Sequence, residues 1–152
     1  MQVFIVSACL AGVRCRYDGE SNEIPGIRKM VEEGKAIAVC PELLGGLSKP
    51  RPCCELIQRK NGTIQVLNKE SEDQTAEFQS GAQKTLAIAR ILDARIAILK
   101  QRSPSCGCGK IYDGTFSGKI ISGNGITAAL LLSNGIQVYS EENIPAALIQ
   151  NE

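Results

Sequence analysis

The sequence contains no histidine. This absence excludes zinc sites of the mixed cysteine and histidine type, and it leaves acid–base chemistry to carboxylates, lysine, tyrosine, cysteine or hydroxyl groups. A marked excess of either sign of charge is also missing, because the formal net charge is only +1. So small an imbalance argues against adhesion of the whole surface to nucleic acid or to a membrane.

Long apolar runs are missing as well. Every run is far shorter than the roughly 18 to 20 residues that span a bilayer. The segment Met1–Phe4 has neither the charged region nor the cleavage site of a signal peptide. We therefore expect a cytoplasmic protein without a membrane span. The length of 152 residues fits one domain, residues 1–152, that needs no disulfide for stability.

Short apolar runs alternate with helical patterns along the chain. Strands are predicted for four such runs, at 3–6, 36–39, 96–100 and 136–139. Helices are predicted for three segments, at 24–33, 71–92 and 126–132. This alternation favours an α/β fold, a single-domain three-layer sandwich of Rossmann-like type with a mostly parallel sheet.

Local signals add detail to this prediction. Asn61-Gly62 predicts a small β-hairpin appendage, and the segment 111–116 carries a second hairpin signal. Ser71 and Gln74 form a capping-box pattern that predicts the start of the long helix. Gly81 inside that helix costs about 1 kcal/mol relative to alanine, and it indicates close packing at this position.

Seven cysteines are the most informative feature of the chain. In a reducing compartment, thiols serve as metal ligands, catalytic groups or small core residues more often than as disulfides. Cys9, Cys40 and Cys106 each follow a predicted strand, and the carboxyl ends of parallel strands meet at one edge of a sheet. Three thiolates without histidine suit an iron–sulfur cluster with one iron free to bind a substrate. Simple packing as small core residues is the alternative.

The remaining cysteines are rival ligands whose roles stay open; they are Cys15, Cys53, Cys54 and Cys108. Glu42 lies two residues after Cys40, and in a chain without histidine it is the best candidate for a general acid or base. Ser103 and Ser105 either satisfy the backbone of a turn or orient a substrate and relay a proton.

Basic residues cluster in the loops that carry the cysteines, which indicates an anionic partner or a balance to cluster charge; they are Arg14, Arg16, Lys49, Arg51, Lys100 and Arg102. The segment from Gly123 to Ala128 weakly matches the glycine pattern of dinucleotide-binding loops, with Gly123-Asn124-Gly125 opening the last helix. Backbone N–H groups at that helix start could bind a phosphate.

Several motifs together resemble the DUF523 family, which includes the thiouracil desulfurases. The motifs span nearly the whole chain: Ser7-Ala8-Cys9-Leu10, Cys15-Arg16-Tyr17-Asp18-Gly19, Cys40-Pro41-Glu42, Pro50-Arg51-Pro52, Arg102-Ser103-Pro104-Ser105-Cys106-Gly107 and Ile111-Tyr112-Asp113-Gly114-Thr115-Phe116. The resemblance implies an α/β domain that holds an oxygen-sensitive [4Fe-4S] cluster and converts thiouracil to uracil with release of sulfide.

The resemblance also implies roles for individual residues. It places the cluster on Cys9, Cys40 and Cys106, and it makes Glu42 the proton donor and acceptor and Ser103 a substrate-orienting group. Independently of the resemblance, the further substrate contacts that we expect are Ser7, Arg16, Tyr17, Asp18, Arg51 and Ser105. The expected partner is a small thiolated base or nucleotide, and the sequence leaves the oligomeric state open.

Two alternatives remain at this point. One is a non-catalytic module that senses metal or redox state through its thiols. The other is a nucleotide-phosphate-binding domain built on the segment from Gly123 to Ala128.

Overall fold

The computed structural model describes residues 2–149. Within this range the strands are β1 (Phe4–Ser7), β2 (Ala36–Val39), β3 (Cys54–Gln58), β4 (Ile64–Asn68), β5 (Ile96–Leu99), β6 (Cys108–Tyr112), β7 (Ile120–Asn124) and β8 (Gln137–Ser140). The helices are α1 (Pro25–Glu32), α2 (Pro41–Leu44), α3 (Thr75–Ile91) and α4 (Ile126–Ser133), with short 3₁₀ segments at Ala8–Ala11 and Ala146–Leu148.

Four strands form a parallel sheet in the order β2-β1-β5-β8. Its central strands are apolar on both faces, as expected for a parallel sheet covered on both sides. Ile5 packs in the apolar cluster that contains α3 and α4 residues, whereas its neighbour Val6 packs in the cluster that contains α1 residues. Helices therefore cover both faces, and the predicted α/β sandwich with a parallel sheet is confirmed.

Two antiparallel hairpins, β3–β4 and β6–β7, complete the described part of the chain. The first surrounds the predicted Asn61-Gly62 turn. The second is larger than the signal at 111–116 indicated, because a loop of residues 113–119 joins its strands. Both hairpin signals thus correspond to hairpins in the structure.

The predicted start of the long helix is wrong. Helix α3 begins at Thr75, and Ser71 lies in a turn with a φ of 65°. The Asn68 carboxamide oxygen accepts hydrogen bonds from the backbone N–H groups of Glu70 and Glu72 and holds this segment as a turn. Asp73 then accepts the N–H of Thr75, and this contact replaces the expected capping box.

Helices α2 and α3 touch main chain to main chain. A Cβ atom on Gly81 would lie 1.9 Å from the carbonyl oxygen of Pro41, and one on Gly45 would lie 1.9 Å from that of Glu77. No side chain fits at either position. The close packing indicated by the glycine inside α3 is thus present, and it fixes α2 against the sandwich.

Among the described residues, no helix combines the length and the apolarity that a bilayer span requires.

Candidate active site

A cavity of about 460 Å³ opens where β1, β2 and β5 end, a volume typical of small-molecule sites. Most of the predicted site residues line it: Ser7, Cys9, Arg16, Tyr17, Cys40, Glu42, Arg51, Ser103, Ser105 and Cys106. Asp18 is outside the lining, and its carboxylate accepts hydrogen bonds from Arg16 at 2.9 Å and from the backbone of Glu20 at 3.0 Å.

Three elements carry the three predicted ligands. Cys9 lies in the 3₁₀ segment directly after β1, and Cys40 follows β2 without a gap. Cys106 is separated from the end of β5 by a turn, so its expected position immediately after the strand is corrected. All seven cysteines lie in the described range and are free thiols.

Cys15 is closer to the predicted ligands than the sequence indicated. It is buried and lines the same cavity, and its thiol neighbours those of both Cys9 and Cys40. Its carbonyl oxygen also accepts the Cys40 thiol at 3.9 Å. The cavity wall therefore contains neighbouring thiols at Cys9, Cys15, Cys40 and Cys106, and the rival ligands Cys53 and Cys54 line the same cavity.

The protonation of these thiols differs with their surroundings. The hydrogen bond from Cys15 lowers the pKa of Cys40 to about 7, and the same donor lowers the pKa of Cys9. Burial raises the pKa of Cys106 to about 12, against hydrogen bonds from Ser105 and Ser7. Because thiolates rather than thiols bind metals, Cys40 is ready to bind a cation near neutral pH, whereas Cys106 requires nearby positive charge.

The donor set suits an iron–sulfur cluster. Cys9, Cys40 and Cys106 line one cavity. A cluster distributes its thiolate ligands over several iron atoms, so its cysteines need not converge on one point. Thiols that line a shared cavity from three elements meet this requirement.

The turn that carries Cys106 is held by the start of α4. Three consecutive backbone N–H groups, those of Ile126, Thr127 and Ala128, donate to the carbonyl oxygens of Pro104 and Ser105. A Cβ on Gly125 would lie 2.5 Å from the Ser105 carbonyl, so only glycine permits this approach. The helix start is therefore used to fix the turn.

This finding corrects the phosphate-binding alternative. The N–H groups expected to bind a phosphate are donated to the turn, and Gly123 and Asn124 belong to β7 instead of opening the helix. The segment from Gly123 to Ala128 thus supports the turn that carries Cys106, and the N–H groups at the start of α4 are not available to bind an anion.

Glu42 is fixed from two sides. Its Oε1 accepts hydrogen bonds from the Arg51 guanidinium at 3.1 and 3.2 Å, and its Oε2 accepts the Ser105 hydroxyl at 3.2 Å. The Arg51 and Glu42 side chains are only 6% and 15% exposed. Arg51 also donates to the carbonyl oxygens of Ser48 and Cys15. Most of its donors are therefore occupied by protein, and Arg51 acts on Glu42 more directly than on a ligand.

The two serines of the turn continue this network. The hydroxyl oxygens of Ser103 and Ser105 are 2.9 Å apart, and Ser103 Oγ accepts the backbone N–H groups of Ser105 and Cys106. The single Ser105 proton is shared between the Glu42 carboxylate at 3.2 Å and the Cys106 sulfur at 3.5 Å, so the Ser103 hydroxyl donates to Ser105. A directed chain of hydrogen bonds thus runs from Ser103 through Ser105 to Glu42.

The other predicted contacts are anchored within the protein. Ser7 Oγ accepts the backbone N–H of Lys100 at 2.9 Å and also hydrogen-bonds to the sulfur of Cys106. Arg16 donates to Asn22 at 2.8 Å, and its guanidinium carbon lies 5.8 Å from the centre of the Tyr17 ring. Tyr17 is 44% exposed and offers its ring at the cavity wall.

On sequence grounds Cys15 ranks below the strand-end cysteines as a ligand, yet it lines the cavity with them. Glu55, Tyr112 and Phe116 also line the cavity, and the sequence assigned them no role. Tyr112 and Phe116 belong to the second hairpin signal, where two aromatic residues flank a turn. Glu55 lies in β3 of the first hairpin, and no sequence pattern marks its position at the cavity.

Comparison with known proteins identifies relatives of this chain. The chain is 48% identical over 147 residues to the uncharacterized protein YbbK of Bacillus subtilis strain 168, covering 93% of this chain and 97% of that protein. Its structure matches that of the [4Fe-4S]-dependent thiouracil desulfidase TudS (DUF523Vcz) with a TM-score of 0.88 at 44% identity, over 97% of each chain. The model of the family described as 2-thiouracil desulfurase matches residues 4–143, and the chain with this thiol-lined cavity therefore belongs to that family.

Proposed function

We propose that this protein is an iron–sulfur-dependent desulfurase that removes sulfur from a thiolated pyrimidine such as thiouracil and releases sulfide. The observation that carries the proposal is the cavity itself, in which thiols from three elements adjoin a carboxylate fixed by Arg51 and Ser105. The likeness to TudS, which is described as [4Fe-4S]-dependent, supports the choice of cofactor.

Cys9, Cys40 and Cys106 would hold a [4Fe-4S] cluster in this proposal. When bound, the cluster would supply a Lewis-acidic iron toward the thiocarbonyl sulfur. The Ser7 and Ser105 hydroxyls, which hydrogen-bond to the Cys106 sulfur, orient that ligand as outer hydrogen-bond donors commonly do at metal sites.

The overall reaction is a hydrolysis, in which the carbon–sulfur double bond is replaced by a carbon–oxygen double bond. One water enters and one hydrogen sulfide leaves, so the reaction needs no external oxidant or reductant. Glu42 takes the proton from the attacking water as general base and returns a proton to the departing sulfur. Arg51 and the serine chain hold both carboxylate oxygens and limit Glu42 to one orientation.

The substrate is a small molecule, since the cavity volume is about 460 Å³. Tyr17 and Arg16 contact it from the exposed side of the cavity, and Ser103 orients it indirectly, through the Ser105 hydroxyl to which it donates. Free thiols and an oxygen-sensitive cofactor fit a reducing compartment, and we place the protein in the cytoplasm.

The test is anaerobic reconstitution with iron and sulfide, followed by incubation with 2-thiouracil. We expect loss of thiouracil with formation of uracil and sulfide in equal amounts, and no turnover by the metal-free protein. Uracil and thiouracil are separated by their absorption, and sulfide is measured independently. Full activity in the metal-free protein, or thiouracil loss without sulfide, would contradict the proposal.

A further inference from the structure

Aromatic residues are concentrated at the cavity. The sequence has three tyrosines and three phenylalanines, and Tyr17, Tyr112 and Phe116 line the cavity. Phe116 comes from the loop of residues 113–119 between β6 and β7, on a different element from Tyr17. In a chain so poor in aromatic side chains, this concentration calls for a reason other than core packing.

Phe116 is not accounted for by the hydrophobic core. Its side chain is half-buried, yet none of the apolar clusters in the described residues includes it. Phe78, in contrast, is fully buried in the cluster beneath the hairpins. The Phe116 ring therefore forms part of the cavity wall and does not contribute to the packing of that cluster.

The loop that carries Phe116 is fixed by a buried carboxylate. Glu55 Oε1 accepts the backbone N–H groups of Gly114 at 2.9 Å and of Phe116 at 3.1 Å. A Cβ on Gly114 would lie 2.8 Å from the Leu56 carbonyl oxygen, so the loop lies directly on β3. These contacts hold Phe116 at a φ of 57°, a conformation that bulky residues rarely adopt and that persists only when the surroundings enforce it.

Building on the proposed function, we propose that Phe116 is a specificity-determining residue whose ring packs on the pyrimidine ring of the substrate. Glu55 is the positioning residue that places this ring at the cavity. Aromatic side chains bind flat heteroaromatic rings through stacked or edge contacts, and this attraction does not depend on the polar groups of the heteroaromatic ring. The preferred substrates are therefore planar heteroaromatic thiocarbonyl compounds.

The first test compares Phe116→Leu with Phe116→Tyr in the reconstituted enzyme. Leucine removes the ring and tyrosine keeps it. We expect Phe116→Leu to raise KM for 2-thiouracil about tenfold while kcat stays within about twofold, because a ground-state contact to the ring is lost. Phe116→Tyr restores the wild-type KM. Ser117→Ala, in the same loop and exposed, is the matched control with an unchanged KM.

The second test uses Glu55→Ala and Glu55→Gln. Glutamine keeps an oxygen acceptor for the two N–H groups, and alanine removes it. Glu55→Ala should raise KM as Phe116→Leu does, and Glu55→Gln should stay close to wild type. If Glu55→Ala does not fold, the comparison of Phe116→Leu with Phe116→Tyr tests the proposal by itself.

Equilibrium dialysis of uracil gives a readout that does not depend on turnover. The Phe116→Leu variant should bind uracil about tenfold more weakly than wild type. An active wild type with unchanged KM and uracil affinity in Phe116→Leu would overturn this inference alone. A wild type that neither converts thiouracil nor binds either base would overturn the proposed function, and the inference with it.

Discussion

The ion pairs at the two ends of the parallel sheet differ in length and in exposure to solvent. At the amino ends, the pairs Lys35–Glu33 and Arg95–Asp93 are 3.6 and 3.7 Å long, and the Arg95 and Asp93 side chains are 75% and 85% exposed. At the carboxyl ends, Arg51–Glu42 and Lys100–Glu141 are 3.1 and 2.8 Å long. Both of these pairs are largely shielded from solvent.

This difference indicates that the exposed ion pairs serve solvation, whereas the buried pairs serve the candidate active site. Exposed ion pairs contribute little to stability, and the amino ends of the strands need charge only to remain soluble. Buried pairs carry a desolvation cost that their attraction does not always repay. Their confinement to the end with the cavity indicates that position, and not stability, is the reason for Glu42 and Arg51 to be buried together.

The largest effect should come from the thiols at the carboxyl ends. Cys9→Ser, Cys40→Ser and Cys106→Ser should each abolish cluster formation and activity, because serine is a poor ligand for iron in such clusters. Iron and acid-labile sulfide after anaerobic reconstitution provide the measurement. Cys108→Ser is the control, since Cys108 lies outside the cavity and donates to the Val138 carbonyl.

One result would change the assignment of the cluster ligands. If Cys15→Ser lost the cluster while Cys106→Ser kept it, Cys15 would replace Cys106 as a ligand.

The next effect should come from the carboxylate. Glu42→Gln should lower kcat by about 10²- to 10⁴-fold, because the amide keeps the shape of the side chain and one acceptor oxygen for Arg51 but cannot accept the proton of water. Iron content should equal that of wild type. Glu33→Gln, at the opposite end of the sheet, should leave kcat unchanged, and a wild-type rate in Glu42→Gln would remove Glu42 from the mechanism.

Replacing Arg51 should affect stability as well as rate. Arg51→Met leaves the Glu42 carboxylate buried without its partner, which should lower the free energy of unfolding by about 3 kcal/mol. Urea unfolding of the metal-free protein measures this loss without interference from the cluster. A loss below about 1 kcal/mol would mean that Glu42 finds solvent or another donor.

The smallest effect should come from the equivalent change of arginine to methionine at the amino ends of the strands. Arg95→Met removes one partner of an exposed pair and should alter the free energy of unfolding by less than about 0.5 kcal/mol. Equal losses for Arg51→Met and Arg95→Met would contradict the distinction between the two ends.

The sheet and much of the site were predictable because they depend on local patterns. Apolar runs such as Ile96–Leu99 can only be buried, and the rule that parallel strands end together was enough to join Cys9 with Cys40. The position of Glu42 follows from its two-residue separation from Cys40. These inferences need no knowledge of how distant loops pack.

The remainder depended on contacts between distant segments. The sequence does not indicate that Arg51 turns back toward Glu42. It also does not indicate that the start of α4 donates its N–H groups to the Ser105 carbonyl, and the glycines there were read as a possible phosphate site. The capping box failed for a related reason, because Asn68 fixes a competing turn.

The glycine contact between α2 and α3 limits how this protein can be engineered. Replacing a helical glycine by alanine is a common way to raise thermal stability. At Gly81 the added methyl group would collide with the Pro41 carbonyl and push away the short helix that bears Glu42. A variant designed at a helix remote from the cavity would thus lose catalytic alignment, and the search for heat-resistant forms should begin elsewhere in α3.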